Sequence, residues 1–267
     1  MSEIEKSRKL ANFMIESLEE VTRTSKQDLK ILPDAKIVKI GGQSITDRGR
    51  AAMFPILDEI VDNVKKHKII ISTGGGTRAR HTYQVAIDLG MGTGVLASMG
   101  EAIGLQNARM IQMLLAKHGG ILTNQDEFGK LSMYLKVGCI PIIAGMPPYS
   151  LWEEIPEKGS IPMNRTDTGA FFLAEVLGTE SIYYVKDEKG LYTEDPKKNP
   201  TAEFIPKIHV DELIKMDLED LILERVVLEY FAKSNNVKNL YLLNGLVKGN
   251  ITKALNGKNA GTLIYKD

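Results

Sequence analysis

The 267-residue sequence has one cysteine, Cys139, one tryptophan and four histidines. A single thiol cannot form an intramolecular disulfide or furnish a cysteine-rich metal site. In the stretch VGCIPII, Cys139 reads as a small core side chain rather than a nucleophile. There is no excess charge of either sign either: 34 lysines and arginines balance 34 aspartates and glutamates. Without an overall field to favour nucleic acid or an anionic membrane, any anion site has to be local. No apolar run of about 18 residues and no signal-peptide pattern is found, so the expectation is a cytoplasmic protein with neither a membrane nor a nucleic-acid partner. Neither an internal repeat nor a low-complexity segment occurs. A Walker A loop, GxxxxGK[ST], is also missing, so any phosphate site is built differently.

With 43% hydrophobic and 25% charged residues, the chain is suited to one large α/β domain or two tightly joined lobes. The stretch KIVKIGG over residues 36–42 reads as a buried strand running into a turn. Ile37, Val38 and Ile40 supply the apolar run, Gly41 and Gly42 let backbone N–H groups approach an anion, and Lys39 adds a point charge. The bland alternative is a plain strand end. Arg50 to His67 then carries Met53, Leu57, Ile60 and Val64 on one helical face, and KIIIS at 68–72 is the next buried strand.

A second glycine loop, TGGGTRARH, follows at once and leads into helical spacing at Tyr83, Val85, Ala86 and Leu89. Strand, glycines and helix point backbone donors and a positive helix end at an anion, so Gly74, Gly75 and Gly76 join the candidate site. Arg78 and Arg80 add donors suited to oxyanions, against the reading of a solvated helix face. The same loop fits GxGxxA across Gly74, Gly76 and Ala79, with Glu101 as a ribose-binding acid. That rival is weaker, because the fingerprint belongs to the first βα turn of a nucleotide unit.

Further along, Met110, Met113 and Leu114 read as helix-core residues, and GCIPIIAG as a strand. Met146 to Met163, rich in proline and glycine, reads as a long surface loop in which Trp152 either lines a pocket or pins the loop. The stretch 145–165 is the soft boundary between two lobes. RTDTGAFFLAEVLG starts a helix with Asp167 in its first turn, either as a cap or to orient a lysine from a neighbouring strand. SIYYVK is a strand, and DEKGLYTEDPKKNP a turn-rich loop presenting Lys186, Asp187, Tyr192 and Asp195. Asp211 is placed as a helix cap, residues 219–234 as a helix, and NLYLLN and TLIY as closing strands. Residues 1–30 are expected to form an N-terminal helical extension, either an oligomer contact or a disordered tail, before a domain over 31–267. Alternating strands and helices make that domain a three-layer α/β/α sandwich with a mainly parallel sheet and ligands at the carboxyl ends of the strands.

With KIGG, TGGG, RTDTGA, DEKGLYTEDPKKNPTAEF and a terminal GTLI in one order, the sequence from about residue 34 resembles the amino acid kinase superfamily, especially its uridylate kinase branch. Within that branch KIGGQSITDRGRAA, TRARH, LLAKHG, GMPPYSLW, NRTDTGAFFLAE and NGLVKGNITKAL look like the molybdenum-storage group. The resemblance implies an ATP site in which Lys39, Gly41 and Gly42 hold the terminal phosphates and Asp167 organises the lysine. The loop from Lys186 to Pro196, with Asp187, Tyr192 and Asp195, would border the nucleotide and Mg²⁺. Aligning on GLYTEDP places Asp187 where uridylate kinases have their second lysine, with Lys186 one residue away. Gly74 to Gly76 and Arg80, with Arg78 nearby, map to the acceptor phosphate or an oxoanion, and Met91 stands where an acceptor-ribose aspartate belongs.

For the storage group the resemblance implies a hollow hexamer that hydrolyses ATP and packs molybdate or tungstate as polyoxometalate clusters. The chain would assemble with itself as a homo-hexamer or with a paralogous subunit in a hetero-hexamer. Some such subunits carry a His-rich segment after PPY; here SLWEEIPEKG follows. No metal-ligand set is assigned. The alternatives are a small-molecule kinase such as a uridylate (UMP) kinase, and a non-catalytic ATP-binding sensor.

Overall fold

The computed structural model describes residues 30–147, 161–219 and 221–267. The expected N-terminal extension therefore falls, up to residue 29, outside the described residues. So do Trp152 and most of the expected lobe boundary. Residues 31–267 form one compact unit.

Its centre is an eight-stranded sheet. In chain order the strands are β1 (Ala35–Ile40), β2 (Lys68–Thr73), β3 (Gly120–Leu122), β4 (Ile140–Ala144), β5 (Ser181–Lys186), β8 (Lys207–His209), β9 (Asn239–Asn244) and β10 (Gly261–Tyr265), with β6 (Leu191–Tyr192) and β7 (Phe204–Ile205) pairing separately as a small antiparallel ribbon. The sheet order is β3-β4-β2-β1-β5-β9-β10-β8. Every neighbouring pair runs parallel except β9 and β10.

Strand residues alternate strictly between the two faces, and both faces are apolar, which is why the strands read as unbroken hydrophobic runs. On one face Ile37, Ile70, Ile182, Tyr184 and Leu240 pack under helices α4 (Leu131–Lys136), α5 (Thr166–Leu177), α6 (Val210–Met216) and α7 (Arg225–Lys233). On the other, Val38, Ile40, Ile71, Tyr183 and Val185 meet α1 (Arg50–Asn63), α3 (Thr93–Leu115) and α8 (Asn250–Leu255). Helix α2 (Gly76–Asp88) packs on α3 through Ala79, Tyr83, Ala86, Leu96 and Ile103. The result is the expected three-layer α/β/α sandwich with a mainly parallel sheet.

Three local expectations need correction. Met110, Met113 and Leu114 are exposed on α3 rather than in the core, because the buried stripe of that helix runs through Ile103, Ala108, Ile111 and Leu115. The helix expected after the second glycine loop does form as α2, with Tyr83 and Ala86 buried and Val85 and Leu89 exposed. The cap of α6 is His209, whose ring nitrogen accepts the Asp211 N–H at 3.2 Å; Asp211 itself lies in the first turn. The helix expected over 219–234 begins only at Arg225, since residues 221–224 approach the site described next.

Candidate functional site

Strand alternation places the charged side chains. Lys39 follows Ile37 by two residues on β1, and Lys186 follows Tyr184 by two on β5, so both project from the face that α5 covers. β1 and β5 are parallel neighbours in the middle of the sheet, which brings the two lysines to the same carboxyl-terminal end of it. Asp167, the second residue of α5, lies between them. Lys186 Nζ donates to its two carboxylate oxygens at 2.9 and 3.1 Å, and Lys39 Nζ is ion-paired with Oδ1.

Lys39 and Asp167 are only 3% and 4% exposed. Burial pulls the Lys39 pKa down, opposed by the Asp167 charge. For Asp167, burial alone would raise the pKa, but Lys186 and Lys39 together outweigh it and hold the carboxyl well below the usual range. Two ammonium groups share one carboxylate, which leaves donor capacity on them for a further anion, although the Glu224 carboxylate also acts on Lys39 from beside the cluster.

The start of α5 is fixed from a distance. Its cap residue, Arg165, makes no side-chain cap bond. Instead the Glu224 carboxylate accepts the N–H groups of Arg165, Asp167 and Thr168 at 3.0–3.1 Å and the Thr168 hydroxyl at 2.7 Å. Tyr184 Oη donates to the Asp167 carbonyl at 2.8 Å. A carboxylate at a helix N-terminus is favourable on both hydrogen-bonding and dipole grounds.

The two glycine turns lean on each other. A Cβ at Gly42 would lie 2.2 Å from Gly76 N, and one at Gly74 would lie 2.6 Å from Gly42 N. Glycine is therefore demanded here by backbone approach. The Gly41 N–H donates to Val185 O and the Gly74 N–H to Ile40 O, so neither is a free donor for an anion. Asn107, fully buried on α3, supports the second turn by donating to Gly74 O at 2.6 Å.

A cavity of about 780 Å³ opens over this cluster. Lys39, Gly41, Gly42, Gly74, Gly75, Gly76, Arg80, Asp167, Lys186 and Asp187 all line it. Three other candidates do not. Arg78 is hydrogen-bonded to Asn107, Tyr192 packs edge-on against Phe204 with ring centroids 5.4 Å apart, and Asp195 accepts the Lys197 N–H at 2.9 Å. Glu101 sits within α3 rather than at the end of a strand and does not line the cavity, so the dinucleotide fingerprint has no ribose acid where it needs one. Sequence reasoning did not single out Asn107, Glu224 or the apolar wall of Leu221 to Leu223; contacts this distant in sequence leave no local pattern.

Among the described residues no group of three or more His, Cys, Asp or Glu could hold a metal ion by itself. Mg²⁺ is commonly held by one or two carboxylates together with phosphate oxygens, and Asp187 at the cavity wall fits that mode. No helix among the described residues is long and apolar enough to cross a membrane.

A mainly parallel sandwich with paired lysines at the ends of adjacent central strands is the frame of a phosphate-handling kinase-type domain. The chain belongs to the amino acid kinase family, whose family model matches residues 34–224. It is 48% identical over 237 residues, 89% of this chain and 88% of the relative, to molybdenum storage protein subunit beta of Azotobacter vinelandii (strain DJ / ATCC BAA-1303). It is 28% identical to a uridylate kinase of Thermofilum pendens (strain DSM 2475 / Hrk 5), over 74% of this chain and 80% of that one. The crystal structure of UMP kinase from Ureaplasma parvum has the same fold, with a TM-score of 0.68 and 22% identity over 87% of this chain and 99% of that one.

Proposed function

We propose that the chain is a subunit of a molybdenum or tungsten storage assembly that binds ATP with Mg²⁺ in this cavity, hydrolyses it, and holds molybdate or tungstate as polyoxometalate clusters. The observation that carries the reading is the buried Lys39–Asp167–Lys186 cluster, in a chain nearly half identical to a storage-protein subunit. Lys39 and Lys186 meet the charge that develops on a transferring phosphoryl group, and Asp167 keeps both cations aimed at it. Asp187 assists in holding Mg²⁺, which supplies further charge neutralisation there. Because the similar protein is named a beta subunit, a paralogous partner stands beside the homo-hexamer as the assembly, and exposed Met110, Met113 and Leu114 support association.

Gel filtration with light scattering and metal analysis, after incubation with ATP, Mg²⁺ and molybdate or tungstate, tests this reading. Metal should travel with a closed oligomer only when ATP was supplied. A monomer, or an oligomer that emerges without metal, counts against storage.

A uridylate kinase is the second reading, favoured by Arg80 at the cavity wall and by the uridylate kinase relatives. Efficient phosphorylation of UMP would put it first. ATP binding without phosphate release would instead favour a nucleotide sensor.

A further inference from the structure

The end of α2 that faces the cavity already holds an anion of the protein's own. Asp47 Oδ2 accepts the Thr77 N–H at 2.5 Å. Its carboxylate also covers Gly76 closely: a Cβ there would meet both carboxylate oxygens and the carboxyl carbon at 2.6–2.9 Å. The backbone fixes this placement, since the Asp47 N–H donates to Gly42 O at 2.9 Å and so ties Asp47 to the first glycine turn. The helix has no acidic residue of its own in its first turn, and its cap, Gly75, has no side chain to offer.

We propose that Asp47, which lies against Gly76 without itself lining the cavity, is a specificity-determining residue that disfavours phosphate-sized dianions at the α2 end, because it takes the Thr77 N–H and sets a negative charge there, leaving Arg80 one helix donor short of an acceptor-phosphate site. A helix N-terminus next to glycines and an arginine is otherwise well suited to a tetrahedral oxyanion. A fixed carboxylate reverses that preference: it takes a first-turn donor and adds like-charge repulsion against any dianion placed beside it. The proposed reading of water as phosphoryl acceptor gains a structural reason from this, and the inference rests on that reading only for the nucleotide half of the cavity.

The test is titration calorimetry of full-length wild type, Asp47→Asn and the double variant Asp47→Asn/Arg80→Ala with UMP and, separately, inorganic phosphate. Asparagine keeps an oxygen to accept the Thr77 N–H and removes the charge, so helix capping is preserved. Asp47→Asn should bind at least tenfold more tightly than wild type to both ligands, and the double variant should lose that gain. Equal affinity in wild type and Asp47→Asn, or a gain that survives Arg80→Ala, overturns the proposal. ATP titrated into the same samples is read separately: failure of ATP to bind tells against the nucleotide reading and leaves the comparison with UMP and phosphate intact.

Discussion

Glu224 Oε1 accepts the Asp167 N–H at 3.0 Å, so the carboxylate that sits between two lysines is aimed by another carboxylate 57 residues further along the chain. Removing Glu224 leaves three backbone donors of α5 without their partner. Glu224→Ala is expected to destabilise the fold by about 1–3 kcal/mol, the cost of stranding such groups, and to lower ATP turnover as Asp167 loses its position. Denaturant unfolding together with phosphate release measures both. Full turnover in a destabilised variant would reduce Glu224 to a helix cap.

Gly42→Ala tests the contact between the glycine turns. The added methyl would meet Gly76 N at 2.2 Å, against backbone that has no flexible end to yield. A loss of about 3 kcal/mol, the upper end of overpacking effects, is expected in thermal or denaturant unfolding. Gly92→Ala, where a Cβ has open space, should change stability far less.

The fold was legible because the sheet is buried on both sides: runs such as KIVKI and SIYYV announce strands without any need for alternation. Lys39, Asp167 and Lys186 were legible for a related reason, since a charged residue closing an apolar strand or opening a helix stands out. What aims them was not. Glu224 and Asp47 each cap a helix far from their own position in the chain, and no spacing rule links a carboxylate to an N–H group 30 or 57 residues away. The misread α3 methionines have a different cause: in a helix this rich in apolar residues, periodicity does not decide which stripe faces the core.

Acid stability should depend on Asp167. Its folded pKa is depressed, so the unfolded chain takes up the proton first as pH falls. The stabilisation is complete above the ordinary carboxylate pKa, about 3.9, and is lost as pH drops from there through the folded value. Lys39→Met removes one of the two lowering charges while burial persists, so Asp167 should protonate at higher pH. The loss of unfolding free energy on acidification should still set in near the unfolded value, about 3.9, but end at higher pH in the variant, so that less stability is lost in total as pH falls. Identical losses would mean that Lys186 alone sets the Asp167 pKa.

Which residue supplies the second phosphate-facing cation is settled by comparing single variants. Alignment on GLYTEDP left positions 186 and 187 open, but geometry separates them. Lys186 Nζ reaches both Asp167 oxygens, whereas Asp187 pairs with Arg48 at the rim. Lys39→Ala and Lys186→Ala should each weaken ATP binding by about 1.5–3 kcal/mol, as expected for a lost charge-assisted contact, and each should abolish measurable hydrolysis. Lys189→Ala is the control: that ammonium lies 3.9 Å over the Phe204 ring and does not line the cavity, so turnover should be unchanged. Asp187→Asn should raise the Mg²⁺ concentration needed for half-maximal hydrolysis while ATP binding without metal stays near that of wild type. Nucleotide titrations paired with phosphate release read all four. Unchanged turnover in Lys186→Ala would leave Lys39 as the sole catalytic cation and confine Lys186 to balancing the buried Asp167 charge.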